Sequence, residues 1–299
     1  MKFSIITPVR NGEKFFTETL ESVLSQKGDF EIEYLVMDSL STDSTPAIAA
    51  EYQKKITSGN YPIHCNEVVI KFISQKDTGP CDAIRKGLAL ATGDICVGLG
   101  GDDIYLPGAF EAIAKTFKKY PEIEWLTGRS TLVNSDSAIY GAGISRVYYQ
   151  PWLARGIYGR NAYWIPYEAT FWRRSLLLRA GPPDETVKIA CDYSWWVKLA
   201  AHVPLYTLDV IVNGFRIHPS QISSNLTLYK SEQVRIVPEQ KSDKIISLFF
   251  LLAGKIPKPL ASLVPYLYRL WFGNQHFKVV RLDDNGEPQL FETSLIRTA

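Results

Sequence analysis

The sequence predicts an α/β protein built on an open, mostly parallel sheet with helices on both faces. Short β-branched runs alternate with stretches of helical periodicity through roughly the first 120 residues. Each strand-like run ends in a polar loop, and the fourth of these loops holds two adjacent carboxylates, Asp102 and Asp103. Strands that alternate with helices imply right-handed crossovers, and those give a parallel sheet.

The elements follow in order. Phe3 to Thr7 is an apolar strand, Pro8 to Gly12 a turn, and Phe16, Leu20, Val23 and Leu24 then recur at helical spacing. Tyr34 to Met37 is a second strand, Asp38 to Thr45 a polar turn, and Pro46 suits the first turn of a helix running toward Thr57. Val68 to Ile73 reads as a third strand, with Ile84, Leu88 and Ala91 marking the helix after it. Ile95 to Leu99 is a fourth strand that runs into the two aspartates, and Pro107 opens the next helix. From about Glu122 the rhythm shifts to shorter strands and aromatic loops, where Tyr148, Tyr149, Trp152, Tyr158, Tyr163, Trp164 and Tyr167 crowd together. Such a set suits an aromatic core layer or a wall for sugar rings. A helix around Asp192 carries Tyr193, Trp196, Val197 and Ala200, and a strand follows near Val210 to Phe215.

The last third differs again. Ile245 to Ala253 is apolar all round, the 255–259 stretch carries two prolines, and Leu260 to Phe272 resumes the apolar pattern. Neither piece reaches the ~20 residues that a membrane-spanning helix needs. The pair either packs on the preceding domain or lies in a membrane interface, with Lys255, Lys258 and Arg269 at the headgroups. Phe277 to Phe291 reads as a hairpin turning at Asn285-Gly286. These divisions give a main domain at 1–223, with halves 1–120 and 121–223, and a helical and hairpin extension at 224–299.

Composition narrows the function classes. A net charge of +2 with 46% hydrophobic and 21% charged residues carries neither a nucleic-acid footprint nor a disordered character. Cys65, Cys81, Cys96 and Cys191 lie far apart without a C-x-x-C pair, as expected of reduced packing thiols. The opening Met1-Lys-Phe-Ser-Ile-Ile starts directly on a strand and does not read as a signal peptide, so a cytoplasmic location is expected.

The chemistry gathers at strand ends. Carboxylates at the carboxyl end of a strand in an open α/β sheet project into the crevice where ligands bind, and hard oxygen donors suit Mg2+ or Mn2+. Taken alone, Asp102-Asp103 reads equally as a metal-diphosphate site or as an acidic turn before a helix. The loops Thr7 to Gly12, Asp38 to Asp43, Lys76 to Asp82 and Gly101 to Asp103 can line one crevice. Lys86 and Arg216 are candidate phosphate partners or solvated surface charges. His218 is a candidate Mn2+ ligand or a structural histidine.

In their order and spacing these pieces resemble glycosyltransferase family 2, whose members have the Rossmann-like GT-A fold. The matching segments are Ile6-Thr-Pro-Val-Arg-Asn11-Gly-Glu13, Asp38-Ser-Leu-Ser-Thr-Asp43, Asp77-Thr-Gly-Pro-Cys-Asp82-Ala-Ile-Arg-Lys86-Gly87, Ala91-Thr-Gly-Asp94, Asp102-Asp103-Ile-Tyr-Leu-Pro-Gly108 and Asp192-Tyr-Ser-Trp-Trp, covering about residues 3 to 223. The resemblance implies a nucleotide-sugar half at 1–120 and an acceptor half at 121–223. Thr7, Pro8, Arg10, Asp38, Asp77, Lys86 and Asp102 would serve the donor nucleotide, with Asp103 and His218 on a divalent cation. Asp192 would be the general base of an inverting transfer, its bland alternative being a helix N-cap. Tyr167, Glu168 and Trp195 would face the acceptor; Glu168 is also a second candidate base, or the partner of Arg173 or Arg174 in a buried ion pair. Asp38 equally suits an Asx-turn.

The chain departs from the family pattern at Arg10, Ser39, Cys81, Arg85 and Tyr167-Glu168, which bears on base stacking and acceptor identity. The expected activity is metal-dependent transfer from a nucleotide-diphospho-sugar, UDP-linked by preference, to a glycan or lipid-linked acceptor in surface polysaccharide assembly. A sugar-1-phosphate nucleotidyltransferase is the competing enzyme class, though the first loop has only Gly12 where that chemistry wants a glycine-rich loop. A non-catalytic glycan- or nucleotide-binding protein is the other competitor.

Overall fold

The computed structural model describes residues 1–293 apart from 142, 220, 222–225, 254, 257–259, 261–262 and 274. The N-terminal half runs β1 (Lys2–Val9), α1 (Phe16–Leu24), β2 (Glu31–Asp38), α2 (Thr45–Thr57), β3 (Glu67–Ser74), α3 (Pro80–Leu90) and β4 (Ile95–Gly98). It continues through β5 (Ile104–Tyr105), α4 (Ala109–Lys119), β6 (Trp125–Val133), β7 (Ile139–Tyr140), α5 (Gln150–Ala154), β8 (Thr170–Arg173) and α6 (Arg174–Ala180). The remainder is α7 (Cys191–Ala200), β9 (Tyr206–Arg216), α8 (Leu226–Ile236), α9 (Asp243–Ala253), α10 (Val264–Phe272), β10 (Phe277–Leu282) and β11 (Pro288–Thr293).

One sheet organises the chain, in the order β11-β10-β9-β6-β8-β4-β1-β2-β3, with β5 added to β9 and β7 to β6. On that path only β8 and β11 run against the rest. The carboxyl ends of β1, β2, β3, β4, β6 and β9 therefore share one edge, and the chain enters β8 there through Tyr167, Glu168 and Ala169.

Alternation along β1 explains the layers. Phe3, Ile5 and Val9 join a core with α1, α2 and α4 on one face, while Ile6 joins α3, α5 and α7 on the other. In α1 the buried residues Phe16, Thr19, Leu20, Val23 and Leu24 form the stripe expected of a half-buried helix. The helix expected from Pro107 starts at Ala109, after Gly108 adopts a left-handed φ of 81°.

The C-terminal segment is integrated with this architecture. β10 pairs in parallel with β9, and the hairpin turn holds Gly286 at φ 75°. Ile246 and Phe249 of α9, with Val264 and Tyr268 of α10, complete the same core as Trp152 and Trp196. Asp243, at the start of α9, is buried between Arg155 and Arg160 and fastens the helix to the α5 region. The expected domain boundary at 223 and the proposed headgroup contact Lys258 lie outside the described residues.

Candidate active site

The acidic turn after β4 is folded tightly against its neighbours. A side chain at Gly98 would place its Cβ 1.8 Å from the Tyr167 hydroxyl, and one at Gly100 would stand 2.5 Å from Asp103 Oδ2. Glycine at these positions lets Tyr167 cross the strand end and the two aspartates turn back on the sheet.

The two carboxylates then part company. Asp103 is 2% exposed, and its Oδ1 accepts the Arg216 N–H at 2.7 Å. Its carboxyl also hydrogen-bonds Glu168, which is itself buried. Burial, reinforced by Glu168 and Asp102, holds Asp103 well above the usual carboxylate range, and burial lifts Glu168 to about 7. Asp102 instead has a side chain 33% exposed, with Oδ2 2.7 Å from His218 Nε2. His218 packs its ring 5.0 Å from Phe15, and its backbone N–H donates to Gln221 Oε1 at 2.8 Å.

Arg216 ties these parts together. Its side chain is fully buried, with Nη2 2.6 Å from Glu18 Oε2 and Nε donating to the Asp102 carbonyl at 2.6 Å. Nη1 donates to the Asn134 carbonyl at 2.9 Å, and the guanidinium lies 4.6 Å from the Phe15 ring centre. A guanidinium satisfied in this way has no face left for phosphate, so Arg216 positions the acidic turn.

Beside the turn opens a cleft of about 890 Å3, lined among others by Pro8, Gly100, Glu168, Asp192, Gln221 and Tyr229. Asp192 is the second residue of α7, and the N-cap position is taken by Ala190, so the N-cap alternative is not realised. The Tyr229 hydroxyl donates to its Oδ1 at 2.8 Å and Oδ2 at 3.0 Å. Burial raises Asp192 to about 6, against the opposing hydrogen bonds of the Tyr193 amide and Tyr229. The backbone entering α7 is held by Glu232, whose carboxylate accepts the N–H groups of Lys188, Ile189 and Ala190 at 2.8, 3.0 and 2.9 Å. Tyr229 and Glu232 both come from α8, which sequence reasoning missed: its residues show little apolar periodicity, and only the positions of Tyr229 and Glu232 three apart could have hinted at a shared face.

A family model described as Glycosyl transferase family 2 matches residues 4–169, more than half of the chain. The chain is a family 2 glycosyltransferase. It is 26% identical over 219 residues to a "PGL/p-HBAD biosynthesis glycosyltransferase" of Mycobacterium bovis, covering 71% of this chain and 76% of that one. Its fold is similar to S. aureus TarS in complex with UDP-GlcNAc, with a TM-score of 0.57, 17% identity, and coverage of 89% of this chain and 79% of the other. It is likewise similar to the mannosyltransferase PcManGT from Pyrobaculum calidifontis in complex with GDP-Man and Mn2+, with a TM-score of 0.52, 18% identity, and coverage of 90% and 75%. The GT-A architecture expected from the sequence is thus the one observed.

Within the glycosyltransferase, several expected site residues take other positions. Thr7 is fully buried and donates its hydroxyl to Tyr34 at 3.1 Å, so its side chain belongs to the core and only the following Pro8 lines the cleft. Asp38 is 1% exposed: both oxygens accept the Ser41 N–H at 3.2 Å and Oδ2 accepts the Ser74 hydroxyl at 2.5 Å. It closes its own loop, the Asx-turn alternative. That loop is joined to the first one, since the N–H groups of Asn11, Gly12 and Glu13 donate to Ser41 Oγ, Thr45 Oγ1 and Asp43 Oδ2 at 2.8, 2.9 and 3.0 Å. Arg10 is exposed.

Asp77 accepts the Gly79 N–H at 3.0 Å, and Lys86 Nζ sits 3.0 Å from Asp82 Oδ2, so both are engaged within their own loop and helix. Trp195, expected at the acceptor, is corrected to the core. It is 1% exposed with its ring 5.9 Å from Trp172, because this side of α7 packs on the sheet. Glu168 is not paired with Arg173 or Arg174, whose guanidinium groups donate to the Ile123 and Ala91 carbonyls at 2.8 and 2.9 Å. Of the crowded aromatics, Trp152 and Tyr158 are buried in the core, while Tyr148, Tyr163, Trp164 and Tyr167 line the cleft.

Proposed function

We propose that this protein transfers a sugar, with inversion, from a nucleotide-diphospho-sugar to an acceptor hydroxyl held in the cleft, during assembly of a surface polysaccharide or glycan. The observation that carries the reading is one cleft lined by Asp192, a carboxylate of raised pKa, with the Asp102–His218 pair beside it. Asp192 accepts the acceptor's proton, the freed oxygen attacks the anomeric carbon, and the bond to the diphosphate breaks on the opposite side. Glu168 is less suited to that task because its carboxyl is engaged by Asp103.

Asp102 and His218 fit a divalent cation. An oxygen and an imidazole nitrogen, hydrogen-bonded to each other at 2.7 Å, are of the donor types such a cation takes, and a Mg2+ or Mn2+ held by few protein groups would take its remaining ligands from phosphate and water. Among the described residues no larger set of acidic, His or Cys side chains gathers for a metal. When bound, such a cation neutralises charge developing on the leaving diphosphate. On this reading Asp102, rather than Asp103, is the ligand, while Asp103, with Arg216, holds the turn in place.

A UDP-sugar is the favoured donor, in line with the UDP-GlcNAc named for TarS; the GDP-Man and Mn2+ named for the mannosyltransferase support a nucleotide-sugar and cation site more generally. A panel of UDP-, dTDP- and GDP-sugars read by thermal shift tests this. One donor should raise the melting temperature with Mn2+ present and much less without it. No shift across the panel would remove the donor reading.

A pH profile tests the base. Because Asp192 must be ionised, kcat/KM should fall as pH drops through about 6. Tyr229→Phe removes a hydrogen bond to the charged form, which raises the carboxyl further. The acid limb should move upward by about one pH unit, the scale of a hydrogen bond to a charged group. An unmoved limb would detach Tyr229 from the base.

A further inference from the structure

Helices α9 and α10 are apolar on two sides, and the core uses only one. Ile246, Phe249, Val264 and Tyr268 face inward, where the Trp152 ring lies 4.8 Å from Phe272. Outward stand Ile245, Leu248, Leu251 and Leu252 of α9 and Tyr266, Leu267, Leu270 and Trp271 of α10, with Leu251 58% and Leu270 79% exposed. Trp271 lies 5.6 Å from the inward Phe249, so the exposed Trp271 of α10 packs its ring against α9. A contiguous apolar surface of this kind marks an interaction site.

The charges around it choose the partner. Between residues 241 and 273 the only acid is Asp243, which is buried against Arg155 and Arg160. Lys241, Lys244 and Lys255 are exposed. An apolar face with a basic surround, and with Tyr and Trp among its exposed residues, is complementary to an anionic lipid surface. A second copy would set like charges against each other across a two-fold contact.

We propose that the outer face of α9 and α10 seats the protein on an anionic membrane surface, with its leucines and Trp271 at the acyl boundary and the lysines among the headgroups. No described helix is long and apolar enough to cross a membrane, so this is contact from one side. The seat adjoins the cleft: the Tyr163 ring lines the cleft and lies 5.6 Å from Phe250 of α9. Granted the transfer reaction proposed above, the arrangement favours an acceptor whose hydroxyl is carried on a lipid anchor.

Vesicle co-sedimentation of the full chain tests the seat without donor or acceptor. The protein should pellet with vesicles of equal parts phosphatidylcholine and phosphatidylglycerol, and less at high salt. Leu251→Ser with Leu270→Ser should weaken binding about tenfold or more while the melting temperature holds, because both side chains are already exposed. Lys244→Gln with Lys255→Gln should weaken it on the anionic vesicles. The proposal is overturned if the parent stays in the supernatant or if the leucine variant binds as the parent does. It is equally overturned if light scattering shows a dimer that the leucine variant dissolves. Loss of vesicle binding with transfer to a soluble acceptor retained would confine the failure to the seat.

Discussion

Asp192→Asn should bind the nucleotide sugar as tightly as the parent and transfer the sugar about 10²- to 10⁴-fold more slowly, the range a positioned general base contributes. The substitution keeps the shape of the side chain and an oxygen to accept from Tyr229, so the wall of the cleft is preserved. Donor binding by calorimetry and single-turnover transfer separate the two effects. The acid limb near pH 6 should vanish from the residual activity, because the group that titrates there is gone. Normal turnover in this variant would move the base to Glu168, and Glu168→Gln would then carry the loss.

The second large effect distinguishes the two adjacent aspartates. Asp102→Ala and His218→Ala should each weaken Mn2+ binding in the presence of nucleoside diphosphate by about 100-fold or more, the upper end of what losing a group that merely orients a ligand costs. Transfer should fall in step. Asp103→Ala should instead lower stability by about 1–3 kcal/mol, since it strips the buried Arg216 N–H of its acceptor, with a smaller loss of Mn2+ affinity. Titration of free Mn2+ by its electron spin resonance signal, beside urea unfolding, gives both readouts. The opposite pattern, with Asp103→Ala abolishing Mn2+ binding and Asp102→Ala sparing it, would restore the assignment first expected.

The strands and helices of the N-terminal half were legible because each buries a face whose period is written in the sequence: β1 alternates, and α1 repeats at helical spacing. β5 and β7 are two residues long and carry no period to read. The terminal hairpin announced itself by Asn285-Gly286, but its pairing with β9 depends on residues some 70 positions apart, which no local pattern encodes.

Within the site, Pro8, Asp38, Asp77 and Asp102 lie at or just after the ends of β1 to β4, yet spacing could not say which way each side chain points. Asp102 and Asp103 are neighbours in a turn. The buried Arg216, which claims one of them through its backbone, decides which faces out. The family resemblance put Asp38 and Thr7 at the donor nucleotide, whereas Ser41, Ser74 and Tyr34 engage them locally.

The place of β8 between β4 and β6 has a consequence for how the chain emerges from the ribosome. The quartet β3-β2-β1-β4 can assemble once about a hundred residues are out, but the free side of β4 waits until Thr170–Arg173 is made. Throughout that interval the nascent chain carries an unpaired ribbon edge, open to wrong partners. An expression fragment cut at residue 169 would keep that raw edge permanently and would be expected to clump.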